Sequence, residues 1–296
     1  MDTNFVLIQG NVVFNQQMSL FDDIQEDTKE GRNKAFRQVF ETIIEKRNIK
    51  YTAGNTEQIL LFKCKLSANL LFLQLAKRKK LETYQLSTEE NDITQVSVEN
   101  NYPPLNVFVD LRKQQIAVEL KTNVLHVDAI ITALTNIVKK IAKTCAIYFN
   151  TIDNISDFWS AVGSQDDIKE ITFEMTVPNF YGASEDAKQL VDGAKNDLNA
   201  ERVSLSFLNN KGKLKANINA IDSYVKYSSN AGSWKLKVKA PGESRYRQIK
   251  SSDYSIKKTI DASIIDLLKE MDNEGNIDKE YFSILLSIIE GLFENE

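Results

Sequence analysis

Apolar and polar positions alternate with a period of two most cleanly in Trp234-Lys-Leu-Lys-Val-Lys239. Trp234, Leu236 and Val238 fall on one side of a strand, and Lys235, Lys237 and Lys239 on the other. The same rhythm sets Ile171, Phe173, Met175 and Val177 against Thr172, Glu174 and Thr176. Further strands are predicted at Phe5 to Phe14, Gln58 to Leu66, Leu70 to Lys77, Leu81 to Leu86, Ile93 to Val98, Ala146 to Asn150 and Val203 to Phe207. Pro103-Pro104 introduces a hairpin over Leu105 to Lys121 that turns at Arg112 to Gln115, and Pro241-Gly242 reads as another turn.

Helical spacing appears between these runs. Phe36, Val39, Phe40, Ile43 and Ile44 predict a helix over Lys34 to Arg47, after a polar loop from Asn15 to Arg32. Ile130, Leu134, Ile137, Val138 and Ile141 share one face of a helix over Val127 to Lys143. A short helix holds Phe158-Trp159. Ser184 is an N-cap, followed by first-turn acids Glu185 and Asp186 and the apolar face Leu190, Val191, Ala194 and Leu198. Ile218, Ile221 and Val225 favour a helix over Asn217 to Asn230, stopped by Asn230-Ala-Gly232. Ile260 to Phe293 predicts two amphipathic helices split at Asn273-Glu-Gly-Asn276. The fold class is α+β. Three parts are expected in series: residues 1–165 as a mostly antiparallel sheet with helices, 166–258 as a β-α-β-α-β-β domain after a linker at Gly163 to Asp167, and 259–296 as a helical tail.

Composition removes several functions. The chain has 296 residues, 42% apolar and 26% charged, so a sizeable core is within reach. Cys64 and Cys145 make no CxxC, which argues against a disulfide framework or zinc knuckle and reads as two buried small hydrophobes. His126 is the only histidine, so a triad or histidine metal site would have to use it alone; at the mouth of the long helix it reads as a capping or packing residue. Gly10, Gly31, Gly54 and Gly163 have no phosphate-loop spacing, so no nucleotide cofactor is expected. No basic leader follows Met1 and no apolar run approaches the ~20 residues of a spanning helix, so a cytoplasmic protein without membrane contact is expected.

Charge changes the picture more. The net charge is −4, yet Glu201 to Lys258 holds 13 Lys+Arg against 4 Asp+Glu, a local +9. From Thr259 onward 10 acids face 2 lysines, so the tail carries −8. A row of Lys235, Lys237 and Lys239, with Arg245, Arg247 and Lys250 beyond the turn, is suited to neutralising phosphates without reading bases. Lys77, Arg78, Lys79 and Lys80 form a second basic candidate, at a hairpin tip. The plainer reading of both is a solubilising face, or lysines guarding an edge strand. Tyr224, Tyr227, Trp234, Tyr246 and Tyr254 interleave with the basic residues as stacking candidates, although its alternation places Trp234 inside.

One spacing points to catalysis. Asp110, Glu119 and Lys121 form a D-x8-E-x-K pattern across the predicted hairpin. Metal-dependent nucleases use two carboxylates to hold Mg²⁺ and a lysine to assist the attacking water. Alternation places the three on one face, and the plainer reading of that face is exposure to solvent. Mg²⁺ is expected only on the nuclease reading, and no other cofactor or metal is expected.

The succession Phe173-Glu-Met-Thr-Val-Pro-Asn179, an acidic-capped helix, Val203-Ser-Leu-Ser-Phe207 and Asn230-Ala-Gly-Ser-Trp-Lys-Leu-Lys237 resembles an uncharacterised bacterial family of defence-associated gene neighbourhoods. The proline-led hairpin Pro103-Pro-Leu-Asn-Val-Phe-Val109 belongs to the same resemblance. More distantly, the two-domain layout resembles RexA-type phage-exclusion proteins, which bind DNA without sequence preference. The resemblance implies a phage-defence protein of the exclusion or abortive-infection type that binds DNA or RNA without sequence specificity, and it carries over no catalytic residue. The alternatives are the metal-dependent nuclease and a non-catalytic sensor or adaptor. In the last, the tail from 259 to 296 docks a protein partner or a second copy in a homodimer, rather than its own domain.

Overall fold

The structure is a computed structural model that describes residues 2–14, 28–87, 92–177, 185–211, 213–270 and 279–294. It is an α+β protein built on two antiparallel sheets and a separate two-stranded ribbon. The centre of the larger sheet is β1 (Asp2–Phe14), whose run Phe5, Val6, Leu7, Ile8 is buried without a polar break. A strand apolar on both parities must be covered on both faces. Val6 and Ile8 enter one core and Phe5 and Leu7 another. The run Leu70 to Leu73 of β4 (Leu70–Lys77) and the run Val107 to Val109 of β7 (Pro104–Asp110) divide in the same way. The full order is β14 (Lys257–Asp261), β1, β8 (Gln115–Glu119), β7, β4, β3 (Thr56–Lys65), β2 (Asn48–Ala53), with β9 (Cys145–Thr151) also paired to β1.

One face is covered by α1 (Lys29–Lys46) and α2 (Val127–Ile141), which contribute Phe36, Phe40, Leu134 and Ile137 to the first core. The other face is covered by α6 (Ala262–Glu270) and α7 (Lys279–Gly291). Ile265, Leu268, Leu285, Ile289 and Phe293 close there over Phe5, Phe72 and Phe108. The tail is therefore spent on the protein's own sheet, with Ile284 and Ile288 left exposed. Helix α1 starts earlier than its apolar spacing indicates, because Thr28 caps it by accepting from the Gly31 N–H at 3.0 Å. No helix among the described residues is long and apolar enough to cross a membrane.

The second sheet has the order β11 (Arg202–Leu208), β10 (Asp167–Thr176), β12 (Gly232–Lys239), β13 (Arg247–Lys250). One of its faces carries α3 (Ile155–Gly163), α4 (Glu185–Leu198) and α5 (Ile218–Ala231), with Trp234, Leu236, Val238, Phe173 and Met175 in their shared core. The predicted linker at Gly163 to Asp167 shrinks, since Gly163 ends α3 and Asp167 already opens β10. The Ser184 cap, most of the loop after Asn15 and the Asn273 to Asn276 break lie outside the described residues.

The three parts are not in series. Strands β9 and β14 lie end to end along one edge of β1, β9 pairing with Ile8 to Phe14 and β14 with Asp2 to Val6. The chain leaves at Ile152, whose N–H donates to Leu7 O at 3.1 Å, and returns at Ile256, whose carbonyl accepts from Leu7 N–H at 3.2 Å. Ile256 N–H donates to Ile152 O at 2.8 Å, so exit and entry touch. The basic unit is thus an insertion in a sheet that residues 257–261 complete, which corrects the division at 165 and 258. The reason is local: Lys257-Lys-Thr-Ile-Asp261 buries only Ile260, and such an edge strand has no apolar rhythm to read.

Candidate nucleic-acid interface

The predicted lysine row forms on the face of the second sheet opposite α3, α4 and α5. Burial of Trp234, Leu236 and Val238 forces Lys235, Lys237 and Lys239 to the opposite side. Register then decides what each lysine meets. Lys235 lies between Thr172 and Lys250, Lys237 between Glu170 and Gln248, and Lys239 beside Asp167. Lys235 Nζ pairs with Glu174 Oε1 at 2.5 Å and Lys250 Nζ with Asp128 Oδ2 at 2.9 Å. Arg247 is opposite Val238, hence on the other parity from the row, and pairs with Glu243 at 3.9 Å. Among the described residues Lys237, Lys239 and Arg245 have no ion pair. The row predicted as one array is therefore split into neutralised and uncompensated members.

The uncompensated members gather at one end of the sheet. The segment after β11 crosses the start of β10, with Asn209 N–H donating to Lys169 O at 3.0 Å and Leu214 N–H to Ile168 O at 2.8 Å. Lys213 Nζ reaches Asp166 O at 2.6 Å, and Asp166 N–H donates to Lys239 O at 3.1 Å. Lys211, Lys213 and Lys215, all exposed, are thereby carried to the same end as Lys239. Lys169 Nζ stands 5.4 Å from the centroid of the Tyr246 ring. The Tyr246 hydroxyl donates to Asp167 Oδ2 at 2.6 Å, which raises the phenol pKa and occupies one of the few acids here. Lys211, Lys213 and Lys215 belong to the +9 stretch legible in the sequence, but only the path of the chain after β11 brings them, with Lys169, beside β12.

The aromatic candidates thin out. Tyr227 is buried and donates to Thr176 O at 2.8 Å. Tyr254 packs on Trp234 with centroids 5.6 Å apart, and Tyr224 packs on Phe173 at 5.9 Å. Tyr246 is the exposed member, at 39%.

The second basic candidate is mostly consumed by structure. Lys77 to Lys80 is no hairpin tip. It is the junction where β4 leaves the large sheet for β5 (Lys79–Ser87), which pairs with β6 (Asp92–Asn101) as the separate ribbon. Arg78 Nη2 donates to Asn55 O at 3.3 Å, Lys79 Nζ donates to Asn123 O, and Lys80 pairs with Glu82 at 3.0 Å. Only Lys77 of the four has no such partner among the described residues.

The nuclease pattern meets a geometric obstacle. Asp110, Glu119 and Lys121 do share a parity, but Phe108 and Ala117 stand between the two acids and face the core under the tail. Asp110 and Glu119 are 4% and 5% exposed, so the face is covered, contrary to the solvent-exposed expectation. Asp110 is opposite Gln115, four residues from Glu119, or about 13 Å along the strand. With Phe108 and Ala117 between them and each carboxylate bonded elsewhere, the two acids do not converge on one Mg²⁺ position. Each acid has structural work instead. Asp110 Oδ1 accepts from Arg112 N–H at 2.8 Å and Lys113 N–H at 3.1 Å, closing the turn. Glu119 Oε2 accepts from Asn106 N–H at 3.0 Å and Nδ2 at 2.7 Å, and its Oε1 meets Lys121 at 2.8 Å.

His126 is the N-cap residue of α2 but makes no side-chain cap bond, so its expected capping role is confined to position. Burial pushes the Cys64 and Cys145 thiols up to about 11, which leaves them protonated and unreactive. Among the described residues no three His, Cys, Asp or Glu side chains form a metal-holding group. No protein-family model matches the chain, and neither does any curated protein.

Proposed function

We propose that the protein binds nucleic acid through its phosphate backbone, without sequence preference, at the basic end of the second sheet. The observation that carries this reading is that Lys237, Lys239 and Arg245 keep their charge uncompensated where Lys211, Lys213 and Lys215 also arrive. Ammonium and guanidinium groups on flexible stems displace condensed counterions from phosphates and carry no base readout. Exposed Tyr246 adds a ring on which an unpaired base can stack. The resemblance to phage-exclusion proteins supplies the setting: a cytoplasmic defence protein acting on DNA or RNA. The test is an anisotropy titration against unrelated duplex and single-stranded oligonucleotides over a salt series. Replacing Lys237, Lys239 and Arg245 with Glu weakens binding alike on all sequences, and on duplex DNA it flattens the log–log salt slope by about 2.7, at ~0.9 per lost contact. Lys235→Gln, at a lysine already neutralised by Glu174, has a smaller effect. No affinity at low salt, or a triple variant that binds like the parent, overturns the reading.

A further inference from the structure

The basic end of the second sheet contains a cleft of about 370 Å³, lined by Glu170, Thr172, Lys237, Tyr246 and Gln248 among others. That is the small end of the ~300–1,000 Å³ range of ligand sites. Its floor is one rung of the sheet. Glu170 of β10 is directly opposite Lys237 of β12, and Lys237 is directly opposite Gln248 of β13. Opposed residues share a face. Glu170 and Lys237 carry opposite charges across adjacent strands, yet no ion pair joins them. Among the described residues the Glu170 carboxylate accepts only from the Thr172 hydroxyl, at 3.3 Å. The next rung is spent differently, since Lys235 pairs with Glu174 and Lys250 with Asp128. The first rung therefore offers an open acceptor and an open cation side by side.

One wall is a ring held in place. The Tyr246 hydroxyl donates to Asp167 Oδ2 at 2.6 Å, and Lys169 Nζ stands 5.4 Å from the ring centroid. Lys169 does not line the cleft, so it leaves the cleft side of the ring to another group. An aromatic side chain already fixed at two points gives up little freedom when a flat partner stacks on it. The carboxylate decides which flat partner fits. Glu170 repels a phosphate placed in the cleft but accepts from the ring N–H and amino groups on the edges of nucleobases. Phosphates belong outside it, where Lys239 follows Lys237 on the same face of β12.

We propose that the cleft seats one unpaired base, stacked on Tyr246 with a donor edge toward Glu170, and that the substrate class is single-stranded rather than duplex nucleic acid. The inference rests on the nucleic-acid reading and narrows it. In a duplex the neighbouring bases cover both faces of each base, and extruding one costs unstacking and unpairing energy that a single strand is spared. Stacking accepts every base, so a preference for single strands brings no sequence preference with it.

The test is fluorescence anisotropy of the full chain at one low salt concentration. The probes are a mixed-sequence DNA strand of about 15 nucleotides, within the ~4–16 that one small binding module covers, its RNA counterpart, the same DNA annealed to its complement, and an abasic DNA strand of equal length. Both single strands should bind more tightly than the duplex, and the abasic strand about tenfold more weakly than the intact DNA strand. Tyr246→Ala should lower affinity for the intact single strands about tenfold and leave the duplex and the abasic strand unchanged, which also shows the variant to be folded. Lys237→Glu weakens all four, because it removes a phosphate contact. A parent that binds all four probes alike, or a Tyr246→Ala variant that keeps full affinity for the intact strands or loses affinity equally for every probe, overturns this inference and leaves the backbone reading standing. A parent that binds none of them overturns both.

Discussion

Trp234 and Asp153 show how far single residues were legible. Alternation with Leu236 and Val238 is sufficient to place Trp234 inside, and it is fully buried. Nothing in the sequence pairs it with Asp153, which lies 81 residues away in a connection without periodicity, yet Trp234 Nε1 donates to Asp153 Oδ2 at 2.5 Å. Burial pushes the Asp153 carboxyl up from 3.8 to about 6, against the opposing Trp234 hydrogen bond. Between those values the folded acid is protonated while the unfolded one is ionised, so stability declines as pH rises through that window and stays lower above it. Asp153→Asn removes the burden of a buried charge. Urea melts at pH 8 should show the variant more stable by about 1–3 kcal/mol, with the difference fading toward pH 4. Glu119 shows the reverse balance. Its parity was readable, but its burial against Asn106, a partner on the neighbouring strand, was not. Glu119→Ala strands the backbone and side-chain donors of Asn106 in the interior and should cost about 3 kcal/mol in a denaturant melt, with Glu119→Gln milder.

At the scale of elements, legibility followed burial. Strands that present one apolar face, such as β10 and β12, announced themselves, and so did α2 with its apolar stripe. The edge strands of the large sheet did not: β2 buries only Ile49 and β14 only Ile260, so pairing rather than periodicity defines them. Gly232 was readable as a helix stop, and α5 does end at Ala231. Its second role was hidden. A Cβ on Gly232 would stand 1.9 Å from the Glu174 carbonyl oxygen, so β12 can approach β10 there only without a side chain. The backbone is extended and imposes no strain; space is the constraint. Gly232→Ala should push the two strands apart beside Glu174 and cost several kcal/mol, read as a melting temperature lowered by about 10 °C or as insoluble expression.

At the scale of the molecule, the tail is the cover of a core and not an appendage. Removing residues 259–296 would bare Phe5, Phe72 and Phe108, the last with ring centroids 5.5 and 5.3 Å from the other two, and break most of the β14 pairing to β1. Such a truncation should yield aggregated protein by size-exclusion chromatography, so loss of a partner in a pull-down with it would report unfolding. The meeting of Ile152 and Ile256 at Leu7 has a different consequence, one of descent. A segment that departs and returns at hydrogen-bonded neighbours can be gained or lost in a single recombination event, because a short turn closes the gap it leaves. The backbone-binding chemistry proposed for the basic end of the second sheet would then be a passenger with its own history, carried by a host sheet whose strands all persist without it.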